Sequence, residues 1–72
     1  MQLHDEITIG DLMDKLPKIL KDDIELLEKC YRERDIFNPV FDYFEPNVKM
    51  QICAGYITDE EAKRLLQRYD LW

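Results

Sequence analysis

The sequence predicts an all-α fold: a single small domain, residues 1–72, of about four to five short helices around one core, ending in a helical hairpin. Apolar residues recur at i, i+3, i+4 and i+7 in two stretches. An Ile-Thr pair precedes each stretch, with an acidic residue placed to complete a helix cap. No Asn-Gly or Asp-Gly turn separates alternating apolar and polar runs, so the pattern does not favour strands.

The composition favours a packed domain over a disordered chain. The 72 residues are 46% apolar and include only two Gly and three Pro. Surface scaling predicts that the folded chain exposes roughly 4,700 Å² and buries about 63% of its unfolded surface. A net charge of −6 and a pI near 4.6 argue against a general phosphate-binding surface, so we expect no direct nucleic-acid binding.

The two cysteines indicate a reducing compartment. Two cysteines, Cys30 and Cys53, are too few for the disulfide bonds that a secreted domain of this size would need. Both have apolar neighbours in the sequence, so we expect them to be buried free thiols. No basic and apolar leader opens the sequence, and no apolar run approaches about 18 residues. We therefore expect a cytoplasmic protein without a membrane segment.

The first helix is predicted to begin after Thr8, whose side chain can cap the amide three residues on. One apolar stripe follows, formed by Ile9, Leu12, Met13 and Leu16. Pro17 disfavours helical geometry at the preceding residue, so this helix should stop or kink there. Residues 1–7 are expected to fray.

The second helix is predicted from about Asp23 to Arg34, because Asp22 followed by Glu25 favours a helix start. A start at Pro17 is the less favoured reading. A single kinked helix from Ile9 to Arg34 is a further alternative, since no Gly lies between Pro17 and Asp22. The pattern does not decide between one helix and two.

Two short helices are predicted in the middle of the chain. Asn38-Pro39 is typical of a helix start, and Glu45-Pro46 should end that helix and begin the next. Gly55 is placed to end the fourth helix in the left-handed conformation. The helical spacing of three rings predicts that they are core residues: Phe37, Phe41 and Phe44.

The last helix has the strongest start signal. Thr58 and Glu61 form a capping box, and an apolar stripe follows from Ala62 to Tyr69. The stretch from Gly55 to Glu61 resembles the turn of SHOCT-type C-terminal helical hairpins. The resemblance implies a hairpin and no function, because the helix C-cap and capping box explain the shared residues.

Catalytic, cofactor and metal sites are not expected. His4 is the single histidine, Ser is absent, and no zinc, calcium-loop or phosphate-loop spacing is present. Neither cysteine stands in a recognisable order with His4. The chain is therefore predicted not to be an enzyme. A DNA-binding helix-turn-helix after Val48 is disfavoured because its second helix would begin with Asp59, an acid facing phosphates.

The leading functional hypothesis is a non-enzymatic protein-interaction module of a bacterium or phage. A domain this small can enclose only a few rings, so some should lie at the surface and anchor a protein partner or a second copy. The candidate anchors are Tyr43, Tyr56, Tyr69 and Trp72.

Two other hypotheses rest on charge. The N-terminal half is the more acidic, and it could mimic nucleic acid toward a basic enzyme cleft, as phage anti-defence inhibitors do. The candidate acidic face comprises Asp11, Asp14, Asp22, Asp23 and Glu25. A third hypothesis, a small dimeric DNA-binding regulator, requires that four arginines share one face: Arg32, Arg34, Arg64 and Arg68.

Overall fold

A computed structural model describes residues 2–72 and shows an all-helical domain with one core. The elements are a short 3₁₀ helix at Met13–Lys15, α1 at Lys18–Glu33, α2 at Val40–Cys53 and α3 at Asp59–Arg68. The predicted all-α fold is confirmed for these residues, with fewer α-helices than the four to five expected. The accessible surface of 4739 Å² agrees with the roughly 4,700 Å² expected from chain mass.

The predicted helix after Thr8 is only a 3₁₀ turn. Its amides donate to carbonyls three residues back, as from Leu12 to Ile9 (2.9 Å) and from Lys15 to Leu12 (2.9 Å). Thr8 does not act as a cap, because the residue that precedes the 3₁₀ helix is Leu12. With Pro17 so close, too few residues remain to propagate an α-helix.

The helix α1 begins five residues earlier than the preferred prediction placed it. Pro17 is its N-cap, with ψ 160°, and Leu16 before it is also extended, with ψ 141°. The single kinked helix from Ile9 to Arg34 is therefore wrong. The physical reason is the clash between a proline ring and a helical preceding residue.

The predicted break at Pro46 is also wrong, because α2 runs through it without interruption. Pro46 has no amide hydrogen, so the carbonyl of Asp42 loses its usual helix donor. Phe44 and Val48 stand on either side of Pro46 and are both fully buried. Their burial holds both halves of the helix against the core, which outweighs the local preference of proline for a helix end.

The helix α3 has the predicted start. Thr58 Oγ1 accepts from the amide of Glu61 (3.2 Å), and the Glu61 carboxylate accepts from the amide of Thr58 (2.9 Å). The predicted stripe is buried along its whole length: Ala62, Leu65, Leu66 and Tyr69. The capping box and the helix that it opens are confirmed.

All three α-helices end with a residue of positive φ: Arg34, Gly55 and Asp70. At the end of α2, the amide of Tyr56 donates to Gln51 (3.0 Å) and that of Gly55 to Ile52 (3.1 Å). These two bonds form a Schellman motif, and Gly55 has the φ of 85° that such a motif needs. The predicted left-handed end at Gly55 is confirmed, although it closes α2 rather than a fourth helix.

The core is formed by all three helices and the segment before α1. Phe44 and Tyr69 meet edge to face, with ring centroids 5.7 Å apart. Two predicted core residues lie outside it: Phe37 is 90% exposed and Cys53 is exposed. Phe37 precedes the start of α2, so the helical spacing that relates it to Phe41 and Phe44 does not apply.

Residues 2–7, expected to fray, lie against the end of α3. The amide of His4 donates to the carbonyl of Arg68 (2.8 Å). The Arg68 guanidinium in turn donates to the carbonyl of Ile7 (2.8 Å) and to the Glu28 carboxylate (2.9 Å). One arginine therefore ties the N-terminal segment to α1 and α3.

None of the helices in residues 2–72 has the length and apolar character needed to cross a lipid bilayer.

Candidate interaction surface

The helix α2 has apolar residues at its surface as well as in the core. Its inner side, which includes Val40, Phe44 and Val48, is buried in the core. On its outer side a second apolar stripe follows the helical repeat, and we call these residues the α2 face: Tyr43, Pro46, Met50, Cys53 and Ala54. All five are exposed. A helix on the surface of a globular protein usually presents polar residues on this side, so the α2 face is unusual.

The C-terminal half of the α2 face forms a shallow hollow of about 570 Å³, lined by Pro46, Lys49, Met50, Cys53 and Ala54. Met50 is 63% exposed and has the largest exposed fraction among the large apolar residues of α2. Methionine adapts its shape to irregular partners and makes favourable contacts with aromatic rings. The hollow is therefore suited to receive an apolar side chain of another molecule.

A groove between α2 and α3 continues this surface past Lys49. The groove has a volume of about 320 Å³ and is lined by Lys49, Ile52, Asp59, Ala62, Leu66 and Trp72. Trp72 is 68% exposed, and the Lys63 Nζ lies 5.5 Å from the centre of its ring. This cation–π contact orients the indole at the surface.

The four predicted anchors differ in their exposure to solvent. Tyr43, Tyr56 and Trp72 are 38%, 54% and 68% exposed, so their rings are available to a partner. Tyr69 is fully buried, and burial raises its pKa to about 12. Its ring stacks on that of Tyr31, whose hydroxyl donates to the Tyr69 carbonyl. Tyr69 is thus a core residue, and its ring is not available to a partner as the prediction required.

Met50 and Cys53 were not among the predicted anchors. The sequence contains the signal that identifies them, since they lie seven and ten residues after Tyr43, two and three helical turns along. The prediction of a break at Pro46 removed this relation, because it divided the stripe between two helices.

Burial raises the pKa of the other thiol, Cys30, which fits the packing role predicted for it.

The predicted acidic face is largely occupied by contacts within the chain. Asp11 accepts two bonds from the Arg64 guanidinium (3.1 and 2.9 Å), which holds the pKa of that carboxyl below its usual value. Asp22 accepts from Lys18 (2.9 Å). Asp23 is buried and accepts from the Asn47 side chain (3.2 Å). Of the acidic-face residues, Asp14 and Glu25 are exposed and form no ion pair with another residue in 2–72.

The arginines do not form one basic surface. Arg64 is held by Asp11 and Arg68 by Glu28, both within the domain. The other two, Arg32 and Arg34, line a cleft of about 510 Å³ at the end of α1, together with Gln2, Leu3, Cys30, Tyr31 and Ile36. Of the four arginines, these two alone are free of an ion pair within residues 2–72, and the chain carries a net charge of −6.

His4 lies between two carboxylates. Its Nδ1 is 3.3 Å from Glu6 and its Nε2 is 3.7 Å from Asp70. Within residues 2–72, no three His, Cys, Asp or Glu side chains converge as metal ligands would. The contacts of His4 help to attach the N-terminal segment to the end of α3.

Comparison with protein-family models, with curated proteins and with solved structures finds no match to this chain.

Proposed function

We propose that this chain is a small non-enzymatic protein-interaction module that binds through the α2 face, with Tyr56 and Trp72 beside it. One observation carries the proposal: the five residues of the α2 face are apolar, follow one another along the helix and are all exposed to solvent. Large apolar patches on small proteins mark interaction sites, because their exposure to water is unfavourable. A partner that covers the face would remove this cost.

The chemistry of the surface supports a protein as the partner. Aromatic residues and methionine are enriched at protein interfaces, and Tyr43, Met50 and Trp72 are of these types. Lys49 and Lys63 are the basic residues beside the apolar groups, which gives the apolar surface the polar border of many interfaces. We further propose a cytoplasmic location, supported by two free cysteines.

The nucleic-acid mimic is the weaker proposal. A mimic needs several unpaired acids on one surface, whereas Asp11, Asp22 and Asp23 have partners within the domain. An apolar interface and a mimic also differ in salt dependence, because salt screens charge–charge attraction and leaves apolar contact largely intact.

Affinity capture from the native host with matched variants tests the proposal. Met50→Glu places a charge on the α2 face and should lower partner affinity more than about tenfold. Phe37→Asp is the control, because Phe37 is even more exposed but lies outside the face. A partner lost with Met50→Glu and retained with Phe37→Asp, at low and at high salt, supports the proposal. A partner that ignores Met50→Glu, or that high salt alone releases, contradicts it.

A further inference from the structure

The charges beside the α2 face are arranged for antiparallel pairing. Asp42 and Glu45 border it in the N-terminal half of α2, and Lys49 borders the same side further along. In two antiparallel copies of the helix, the acidic half of one lies beside the basic residue of the other. Antiparallel helices also oppose their dipoles favourably. This border is therefore complementary to itself under a two-fold rotation.

Pro46 adds an acceptor to the same border. Because proline has no amide hydrogen, it cannot donate to the Asp42 carbonyl four residues back. This carbonyl and the Asp42 carboxylate belong to one exposed residue. The exposed Asp42 carboxylate can accept from a lysine of another molecule. Lys49 has only a 3.6 Å contact with Glu45 and is exposed enough to serve as that donor in a second copy.

The helix α1 widens the apolar surface. Ile19 and Leu26 lie one turn before and one turn after Asp23, on the same side of α1. Asp23 is joined to Asn47 of α2 (3.2 Å), so this side of α1 adjoins the edge of the α2 face. Ile19 is exposed and Leu26 half-buried. Two adjacent helices thus contribute to the surface, which gives a second copy more apolar area than one helix would.

We propose that the α2 face binds a second copy of this chain, with the two α2 helices antiparallel and the two-fold axis near Pro46. The proposal rests on the proposed function and names its partner. In this arrangement Met50 lies against Tyr43 of the partner subunit, a sulfur–aromatic contact, and Lys49 lies beside Asp42 of the partner subunit. The same contacts occur twice, as two-fold symmetry requires.

The arrangement separates the two Cys53 side chains. Cys53 is seven residues from the axis, so a rise of about 1.5 Å per residue places the two about 21 Å apart along the helices. A disulfide needs Cα atoms within about 7 Å, so the two Cys53 residues of this dimer cannot form one. A parallel pair of helices would bring the two cysteines together.

Sedimentation equilibrium between about 10 μM and 1 mM tests the proposal, a range that suits a small interface. The wild type should form dimers, Met50→Glu should be monomeric, and Phe37→Asp should match the wild type. Lys49→Glu and Asp42→Lys should each weaken the dimer about tenfold, because each places like charges across the axis twice. The double variant should recover to within about threefold of the wild type. Circular dichroism of each variant verifies that it is folded.

The outcomes separate this inference from the proposed function. Restoration by the double charge exchange, with no Cys53 disulfide dimer under mild oxidation, supports the antiparallel dimer. A monomer up to 1 mM overturns the inference, while a different partner that requires Met50 would still support the proposed function. A dimer that ignores both Met50 and Lys49, or that readily forms the Cys53 disulfide, also overturns it.

Discussion

The helices α2 and α3 contact each other and each buries an inner stripe in the core, yet their outer faces differ. The outer side of α3 includes the exposed polar residues Glu60 and Lys63. The exposed side of α2 has Tyr43, Pro46 and Met50, with Asp42 and Lys49 beside them. Both helices satisfy the fold through their inner stripes, so the fold does not account for the apolar outer side of α2. This difference supports the proposal that the α2 face serves binding.

The largest expected effect tests whether the inner stripes are equivalent. Phe44 of α2 and Leu65 of α3 are both fully buried, and Phe44 packs against the Tyr69 ring. Truncation to alanine should lower the free energy of unfolding by about 3–5 kcal/mol for Phe44→Ala and about 2–5 kcal/mol for Leu65→Ala. Urea melts measure both. A loss below about 1 kcal/mol for either variant would mean that its stripe does not form the core.

The next effect concerns the proline that only α2 contains. Pro46→Ala restores an amide donor to the helix interior and removes the clash with the preceding turn, so it should stabilise the domain by about 1–3 kcal/mol. Thermal and urea unfolding at low protein concentration measure the change without a contribution from association. Loss of stability in this variant would show that the structure depends on proline at this position.

The sequence predicted α3 more accurately than α2 for a physical reason. The start of α3 depends on contacts within four residues, between Thr58 and Glu61, so local spacing is sufficient. The continuity of α2 depends on the burial of Phe44 and Val48 by other parts of the chain, and no local pattern contains that information. The exposure of Phe37 and Cys53 was missed for the same reason, since each has apolar neighbours in sequence but not around it in the fold.

The candidate surface shows a similar division. Composition and size predicted surface positions for four rings, of which Tyr43, Tyr56 and Trp72 are exposed and Tyr69 is buried. Met50 could be identified only once α2 was known to be one helix, because its relation to Tyr43 crosses Pro46. The ion pair of Asp11 with Arg64 joins residues 53 positions apart, and no sequence spacing indicates it.

A smaller effect is expected at the start of α3. Thr58→Ala removes the acceptor for the Glu61 amide and should cost about 1 kcal/mol, while Thr58→Ser retains the hydroxyl and should cost less. Urea melts with an unchanged dependence on denaturant would assign the difference to stability alone. Equal stability of the alanine variant and the wild type would contradict the role of the capping box. The start of α2 has no reciprocal capping box: Pro39 provides no side-chain acceptor, and Asn38 Oδ1 accepts from the amide of Val40 (3.0 Å).

The smallest effects distinguish two carboxyl groups by the sign of their pH dependence. Asp23 lies between α1 and α2, where burial raises its pKa above the ordinary 3.8, aided by Asp22 and opposed by the hydrogen bond from Asn47. Asp11 is paired with Arg64 of α3, and that bond lowers its pKa. A raised pKa in the folded state gives stability that is complete below pH 3.8 and is lost as pH rises. A lowered pKa in the folded state gives stability that is complete above the ordinary pKa and is lost as pH falls through the folded-state pKa.

Neutral variants should therefore move stability in opposite directions. Asp23→Asn keeps an acceptor for Asn47 but removes a buried charge, so it should raise the free energy of unfolding at pH 7 and lose this advantage toward pH 3. Asp11→Asn should lower it at pH 7, and the loss should shrink toward pH 3 as the wild-type carboxyl becomes protonated. Urea melts at pH 3, 5 and 7 measure both. If Asp23→Asn were destabilising at pH 7, the carboxylate charge itself would have to stabilise the contact between α1 and α2, and the assignment of burial as the dominant cause would be wrong.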